Sequence, residues 1–241
     1  VGVLYIVAVG AVGTLSIIMA GWSSNNKYAL LGAFRAVSQM VAYEVPMVLS
    51  LLIPVLLAQS MGVNEIVRQQ GVWYILVAPM AALLFFTSSQ AEIGRAPFDL
   101  MEAESELVAG YQTEYSGLKF GFFYVGEFVH AFTVSALFAT LFLGGWRGPW
   151  AEAFPILGTA YFLVKSFIVY FVVILIRITM PRLRIDQMLN FNWKFLTPVA
   201  LVLLMVTAVV EKAMLQWVNV LPETNYLIAR TLMHLLANAL V

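Results

Sequence analysis

Runs of about twenty apolar residues recur along this chain, separated by short polar segments and free of strand-like alternation, and they leave few folds open. That length lets a helix cross roughly 30 Å of hydrocarbon, and in lipid a spanning segment must satisfy its own backbone polar groups, which helices do alone. Of 241 residues, 62% are hydrophobic and 11% charged, at a mean hydropathy of +0.89, whereas soluble domains carry about a quarter charged residues. The expected fold is therefore an all-α, polytopic transmembrane helix bundle, a single domain over residues 1–241. The alternation of a membrane β-barrel is missing. With no Cys, the chain itself offers no disulfide, thiol chemistry or cysteine-held iron–sulfur cluster. It begins at Val1 inside an apolar run, without an initiator Met or a charged region before a cleavage site, and so reads as part of a longer protein.

Six spans are expected, at about 2–20, 33–58, 72–90, 119–143, 155–177 and 195–217. The stretch 222–241 carries Glu223, Arg230 and His234 and suits an interfacial or short packed helix better than a span. Pro46 and Pro79 predict kinks in the second and third spans. The segments 21–32, 91–118 and 178–194, with the adjoining span ends, hold Lys27, Arg35, Arg95, Lys119, Arg177, Arg182, Arg184 and Lys194. The opposite loops, 59–71 and 144–154, hold only Arg68 and Arg147. By the positive-inside rule the first set faces the cytoplasm, or its matrix or stromal equivalent.

That same side carries an acidic run. In AEIGRAPFDLMEAESELVAGYQTEYSG, residues 91–117, stand Glu92, Asp99, Glu102, Glu104, Glu106 and Glu114, six of the chain's 13 acidic residues. Pro97 and Asp99 fit the first turn of a helix, and a helix from Pro97 through Leu107 stacks Asp99, Glu102 and Glu106 on one face, where like charges repel. Solvent, bound protons or a cation must compensate; Arg95, Arg177, Arg182 and Arg184 are candidates. Phe98, Leu100, Leu107 and Val108 interleave with the acids, so the segment is expected to pack on the bundle. Where such carboxylates are buried, desolvation and mutual repulsion raise their pKa and let them exchange protons near neutrality.

Ionisable groups also stand inside the spans. Glu44 lies ~16 Å along the second span and Glu127 ~12 Å along the fourth, at 1.5 Å per residue, depths at which an unpaired charge is costly. Lys165 is central in the fifth, and Arg35, Tyr43, Tyr124 and His130 add polar groups to the second and fourth. One arrangement is a hydrated acidic path from the polar side toward the membrane centre; the plainer one is an ion pair of Lys165 with Glu127 or Glu44 that ties helices together. The two histidines, His130 and His234, make a poor case for bis-histidine haem, and no nucleotide-binding motif is present. After Arg177, the segment RITMPRLRIDQML should leave the helix before Pro181, placing Arg182, Arg184 and Asp186 to pair with the 91–118 loop or with a docked partner.

These stretches carry a resemblance. GWSSNNKYALLGAFRAVSQMVAYEV (21–45), the acidic run 91–117, FFYVGEF (122–128), LFLGG (141–145) and RITMPRLRIDQML with the following NWK (177–194) together resemble the ND1 family, the quinone-pocket membrane component of respiratory complex I, NADH-quinone oxidoreductase, also called its H subunit. Members of that family have eight spans, so the chain is similar to spans three to eight. The resemblance implies a translocase subunit with no redox centre, catalytic residue, cofactor or metal of its own. It implies quinone as substrate, FMN and iron–sulfur clusters in partner subunits, and as partners the other membrane subunits, the peripheral subunits of the quinone site and membrane lipid, with no nucleic acid. By family pattern Glu44, Glu92, Asp99, Glu102, Glu104, Glu106 and Glu127 form the proton path that couples quinone chemistry to pumping. Arg35 then sits by the quinone path, while Arg95, Arg182, Arg184 and Asp186 organise the loops at the chamber. The family commonly has Asn at the position of Gly94 and often Tyr at that of Ile185.

The implied location is a bacterial inner membrane or a mitochondrial inner membrane. Two other readings fit the same features: the homologous subunit of a membrane-bound hydrogenase or of a ferredoxin- or F420-linked dehydrogenase, and a stand-alone ion or solute transporter. The transporter predicts an inverted repeat with broken helices, and the sequence shows no repeat.

Overall fold

The computed structural model describes residues 2–99, 110–151, 154–217 and 223–239. The described residues are helical with no strand. Two long helices open the chain, α1 (Gly2–Ser23) and α2 (Lys27–Ala58). Three short ones follow, α3 (Val63–Gln69), α4 (Tyr74–Val77) and α5 (Pro79–Ile93). A 3-10 turn at Gly110–Gln112 precedes α6 (Leu118–Phe142) and α7 (Pro155–Thr179). Next come α8 (Ile185–Phe191), a π turn over Asn192–Leu196, α9 (Thr197–Trp217) and α10 (Glu223–Ala239). Among the described residues, five helical stretches are long and apolar enough to cross a membrane: α1, α2, α6, α7 and the run Ile185–Met214. The chain is an all-α polytopic membrane protein.

The expected third span, 72–90, is instead two helices meeting at Ala78. Pro79 explains the break, because it lacks an N–H and pushes the residue before it out of helical geometry; Ala78 has φ −133° and ψ 68°. Pro46 and Pro54, by contrast, lie within an unbroken α2. That helix starts at Lys27 rather than 33, because Asn26 caps it by accepting the Tyr28 N–H at 3.0 Å. α7 ends at Thr179, just ahead of Pro181, as expected. The polar stretch up to 194 is not a loop: α8 begins at Ile185, with Asp186 in its first turn and Gln187 Oε1 accepting the Arg184 N–H at 3.4 Å, and it runs through the π turn into α9.

α2 is the hub. It packs on α1, α5, α9 and the 110–112 turn, and its buried face continues into a core with Phe85, Phe138, Phe142 and Leu203. Contact with the turn requires Gly32, since a Cβ there would sit 2.8 Å from the Cα of Gly110. Tyr43, fully buried on α2, donates through its hydroxyl to Met188 O at 2.9 Å, and Asn192 Nδ2 donates to Ala42 O at 2.6 Å. These two bonds tie α8 and the π turn to the middle of α2. The short α10 packs on α9, α4 and α5. Arg230 holds Glu211 through two bonds of 2.6 and 3.1 Å and also donates to Leu57 O at 2.6 Å, while the buried His234 Nε2 lies 2.9 Å from Glu211.

Polar segments gather at the two ends of the bundle. At one end, Asn26 Nδ2 donates to Glu114 Oε1 at 2.7 Å, Ser23 Oγ and Tyr115 OH lie 2.6 Å apart, and the Leu183 N–H donates to Pro97 O at 3.0 Å. The turn after α1, the acidic segment and the stretch after α7 therefore meet. At the other end, the 59–71 and 144–154 segments meet through Trp146 Nε1 donating to Asn64 Oδ1 at 3.1 Å and Arg147 Nη1 donating to Arg68 O at 3.3 Å.

Candidate functional site

Where α5 stops, the chain turns inside the bundle. Gly94 terminates the helix in left-handed geometry, φ 69°, with its N–H donating to Ala91 O at 3.3 Å. Glycine meets no steric penalty in that conformation, and Asn less than most residues. Over Pro97–Asp99 the backbone is not helical, so the helix expected from Pro97 does not start there; the rest of that expected helix, with Glu102, Glu104 and Glu106, lies outside the described residues. Gln39, wholly buried on α2, holds the turn from inside: its Nε2 donates to Ala91 O and to Phe98 O, both at 2.7 Å. The Phe98 ring packs 5.4 Å from that of Tyr43. Arg35, half-buried, stands one turn before Gln39 on the same face of α2.

Two rungs then join the end of α5 to α6. Glu92 Oε1 lies 3.8 Å from His130 Nε2, and Arg95 Nη2 lies 2.9 Å from Glu127 Oε2. Residues 92 and 95 are three apart, as are 127 and 130, and the pairing runs in opposite directions along the two segments, as antiparallel packing requires. Glu127 also receives Gln112 Nε2 at 3.4 Å, and the Arg95 guanidinium lies 5.3 Å from the centre of the Phe128 ring. Glu92 and Arg95 are largely shielded, at 12% and 8% side-chain exposure. Glu44, half-buried on α2, is near enough to repel Glu92 electrostatically. The second carboxylate oxygen of Glu92 and Oδ1 of Asp99 are buried without a hydrogen-bond partner among the described residues.

Other site expectations fall differently. Lys165 does not pair with Glu127 or Glu44: its ammonium donates to the carbonyls of Leu143, Gly145 and Arg147 at 2.9, 3.0 and 2.8 Å, away at the other end of the bundle. The physical reason is reach, since these carbonyls are left open where α6 ends. Arg182, Arg184 and Asp186 are exposed and make no ion pair among the described residues; it is the Leu183 backbone, not these charges, that touches the acidic segment. Sequence reasoning missed Gln39 and Gln112. A lone amide in the middle of an apolar span was the available signal for Gln39. It also missed the matched E-x-x-R and E-x-x-H spacings at 92–95 and 127–130. Among the described residues, no group of three or more acidic or histidine side chains is placed to hold a metal ion.

This arrangement brings two carboxylates, an imidazole and a guanidinium together between helices, where ionisable groups are costly and uncommon. It defines a helical membrane protein with an internal acid–base cluster at one end. Comparison with known proteins then places the chain: a family model described as NADH dehydrogenase matches residues 1–208, and the chain belongs to that family, which is the ND1 family. It is 50% identical over 208 residues to the NADH-quinone oxidoreductase H subunit of Dehalococcoides mccartyi (strain CBDB1), covering 86% of this chain and 58% of that protein. It is 49% identical over 213 residues to the protein of the same name from Geobacillus sp. (strain WCH70), covering 88% and 64%. The chain thus spans about three fifths of the length of these curated relatives. The family match ends before α10.

Proposed function

We propose that this chain is the greater part of a membrane subunit of proton-translocating NADH-quinone oxidoreductase, one that helps form the quinone chamber and carries the acid path linking quinone reduction to proton pumping. The observation that supports it most is the double rung Glu92–His130 and Arg95–Glu127 beside Glu44. It joins, beside a third carboxylate, ionisable groups that are costly to hold inside a membrane bundle and that can exchange protons with one another. Reduction of a quinone to a quinol takes two electrons and two protons. The electrons arrive from centres in partner subunits that hold FMN and iron–sulfur clusters; this chain moves none. Its carboxylates respond to the charge and proton demand at the chamber: a proton gained or lost at Glu92 changes the balance of the Arg95–Glu127 pair one turn away, and coupled sites pass the change along.

In this reading Glu44, Glu92, Asp99, Glu102, Glu104, Glu106 and Glu127 make the path. Arg35 and Arg95 border the chamber, and the exposed Arg182, Arg184 and Asp186 meet the peripheral subunits. The end bearing 21–32, 91–118 and 178–194 faces the cytoplasm of a bacterium, or the matrix of a mitochondrion, as the excess of Lys and Arg directs. The names of the relatives favour the NADH enzyme over the related hydrogenase and ferredoxin- or F420-linked complexes.

The test is NADH-driven quinone reduction and proton pumping in membranes carrying the full-length protein with Glu92→Gln or Glu106→Gln, at abundance matched to wild type. Loss of pumping from a fully assembled complex is the expected outcome. Unchanged turnover and stoichiometry in both variants would return the cluster to a structural role.

A further inference from the structure

At the end of the bundle remote from the acid–base cluster, a cavity of about 880 Å3 opens between α3, α6 and the start of α7. Its walls include Trp146, Gly158, Thr159 and Phe162, and its rim carries Arg68 and Arg147. These are the only two basic residues of the 59–71 and 144–154 segments, and they converge on one opening. Arg147 Nη1 donates to Arg68 O at 3.3 Å and to Gln70 O, which holds the two residues side by side. The Arg68 side chain makes no hydrogen bond or ion pair among the described residues. Glu65, one turn earlier on α3, accepts a hydrogen bond from Ser60 instead. No described carboxylate lines the cavity.

Two neighbouring guanidiniums, above apolar walls that include no described carboxylate, make a site for a ligand that is anionic at one end and greasy at the other. The surroundings fix the class further. Trp73 and Trp150 are exposed nearby, as are Phe154 and Ile156, the composition of a membrane–water interface. Guanidinium is the group best matched to phosphate. We propose that this cavity binds an anionic phospholipid of the phosphatidylglycerol type, its phosphate held by Arg68 and Arg147 and an acyl chain lying along Gly158 and Phe162.

The experiment uses the full-length protein in the membrane assembly in which it is purified, with p-benzoyl-phenylalanine in place of Thr159. It is reconstituted in vesicles of equal phosphatidylglycerol and phosphatidylcholine, illuminated, and the adducts are weighed by mass spectrometry. The expected result is a preference for phosphatidylglycerol that falls about fivefold in Arg68→Gln, in line with the loss of one interfacial cation, and persists in Arg68→Lys. Gly158→Leu, whose Cβ meets nothing closer than 3.6 Å, fills the cavity without changing charge and should reduce adducts of both lipids. Labelling in proportion to bulk lipid regardless of Arg68 would overturn the proposal. So would adducts to another polypeptide, which would make the cavity a protein–protein interface.

Discussion

The turn after α6 and the junction of α5 with α6 both hold charged side chains, but through different kinds of partner. At one end Lys165 donates to three main-chain carbonyls, Gln70 to two at 3.3 and 2.6 Å, and Arg147 to two more. A carbonyl cannot change its charge, so these bonds define one arrangement and close the turn after α6. At the other end Glu92, Arg95, Glu127 and His130 face each other, and one oxygen of Glu92 is left without a partner among the described residues. In the proposed function, ionisable partners of this kind give that end a way to change its charge that carbonyl partners do not offer. What separates these two places is the kind of partner, not the presence of charge.

The largest effect should come from breaking the shielded ion pair. Glu127→Gln leaves Arg95 buried without its anion, a change that costs about 3–5 kcal/mol when the pair is well shielded, and Glu127→Asp should recover part of it. The measurements are thermal stability of the purified assembly and NADH-driven pumping, and both should fall. If stability fell while pumping per assembled complex held, the α5–α6 rungs would be no more functional than the carbonyl cluster, and the contrast between the two ends would collapse.

Lys165→Met probes the opposite end. It removes three bonds from a charged donor, of which hydrogen bonds to charged groups contribute about 1.5–3 kcal/mol each at most, and the freed carbonyls regain some of that from solvent. A net loss of about 2–3 kcal/mol in stability is expected, with the proton-to-electron ratio of the surviving complex unchanged. A changed ratio at full assembly would show that this end takes part in coupling after all.

Much of this was legible in the sequence. Length and hydropathy predicted the helices that cross, because a span in lipid must be a long apolar helix, and the basic residues separated the polar segments that the structure gathers at opposite ends. In the third span Pro79 does more than kink: it sits at the first position of a new helix, where its missing N–H costs nothing. The polar run 185–194 was misread as loop because its charges masked a helix pinned by Tyr43 and Asn192 to a segment about 145 residues away in sequence. For the site, the sequence singled out Glu44, Glu92, Arg95 and Glu127 but not their pairing. That pairing depends on α5 and α6 lying antiparallel. Lys165 was matched to an acid because carbonyls exposed at a helix end leave no mark in the residue string.

Gln39 sharpens the comparison on a smaller scale, since it is a backbone-satisfying residue at the titrating end. Gln39→Leu deprives the carbonyls of Ala91 and Phe98 of their donor, and a loss of about 1–3 kcal/mol is expected for buried groups left unpaired. Because the same two bonds hold the turn that presents Arg95, activity should drop in step with stability, and the apparent KM for quinone should rise. Stability lost without any change in KM would mean that the turn keeps its place through the Tyr43–Phe98 contact alone.

The smallest expected effect is at Gly94, and it separates backbone geometry from charge. With φ at 69°, Gly94→Ala places a Cβ in the left-handed region at a cost of about 1–2 kcal/mol, whereas Gly94→Asn should cost less, because Asn adopts that conformation far more readily. Neither substitution alters a charge or a hydrogen-bonding side chain of the rungs. The Asn variant should therefore keep both melting temperature and pumping near those of the parent, and the Ala variant should lose a few degrees with pumping per complex intact. A loss of pumping in the Ala variant beyond what its stability explains would show that the α5 terminus must hold its angle for Glu92 and Arg95 to meet His130 and Glu127 together, so that the end able to change state does so from a rigid frame.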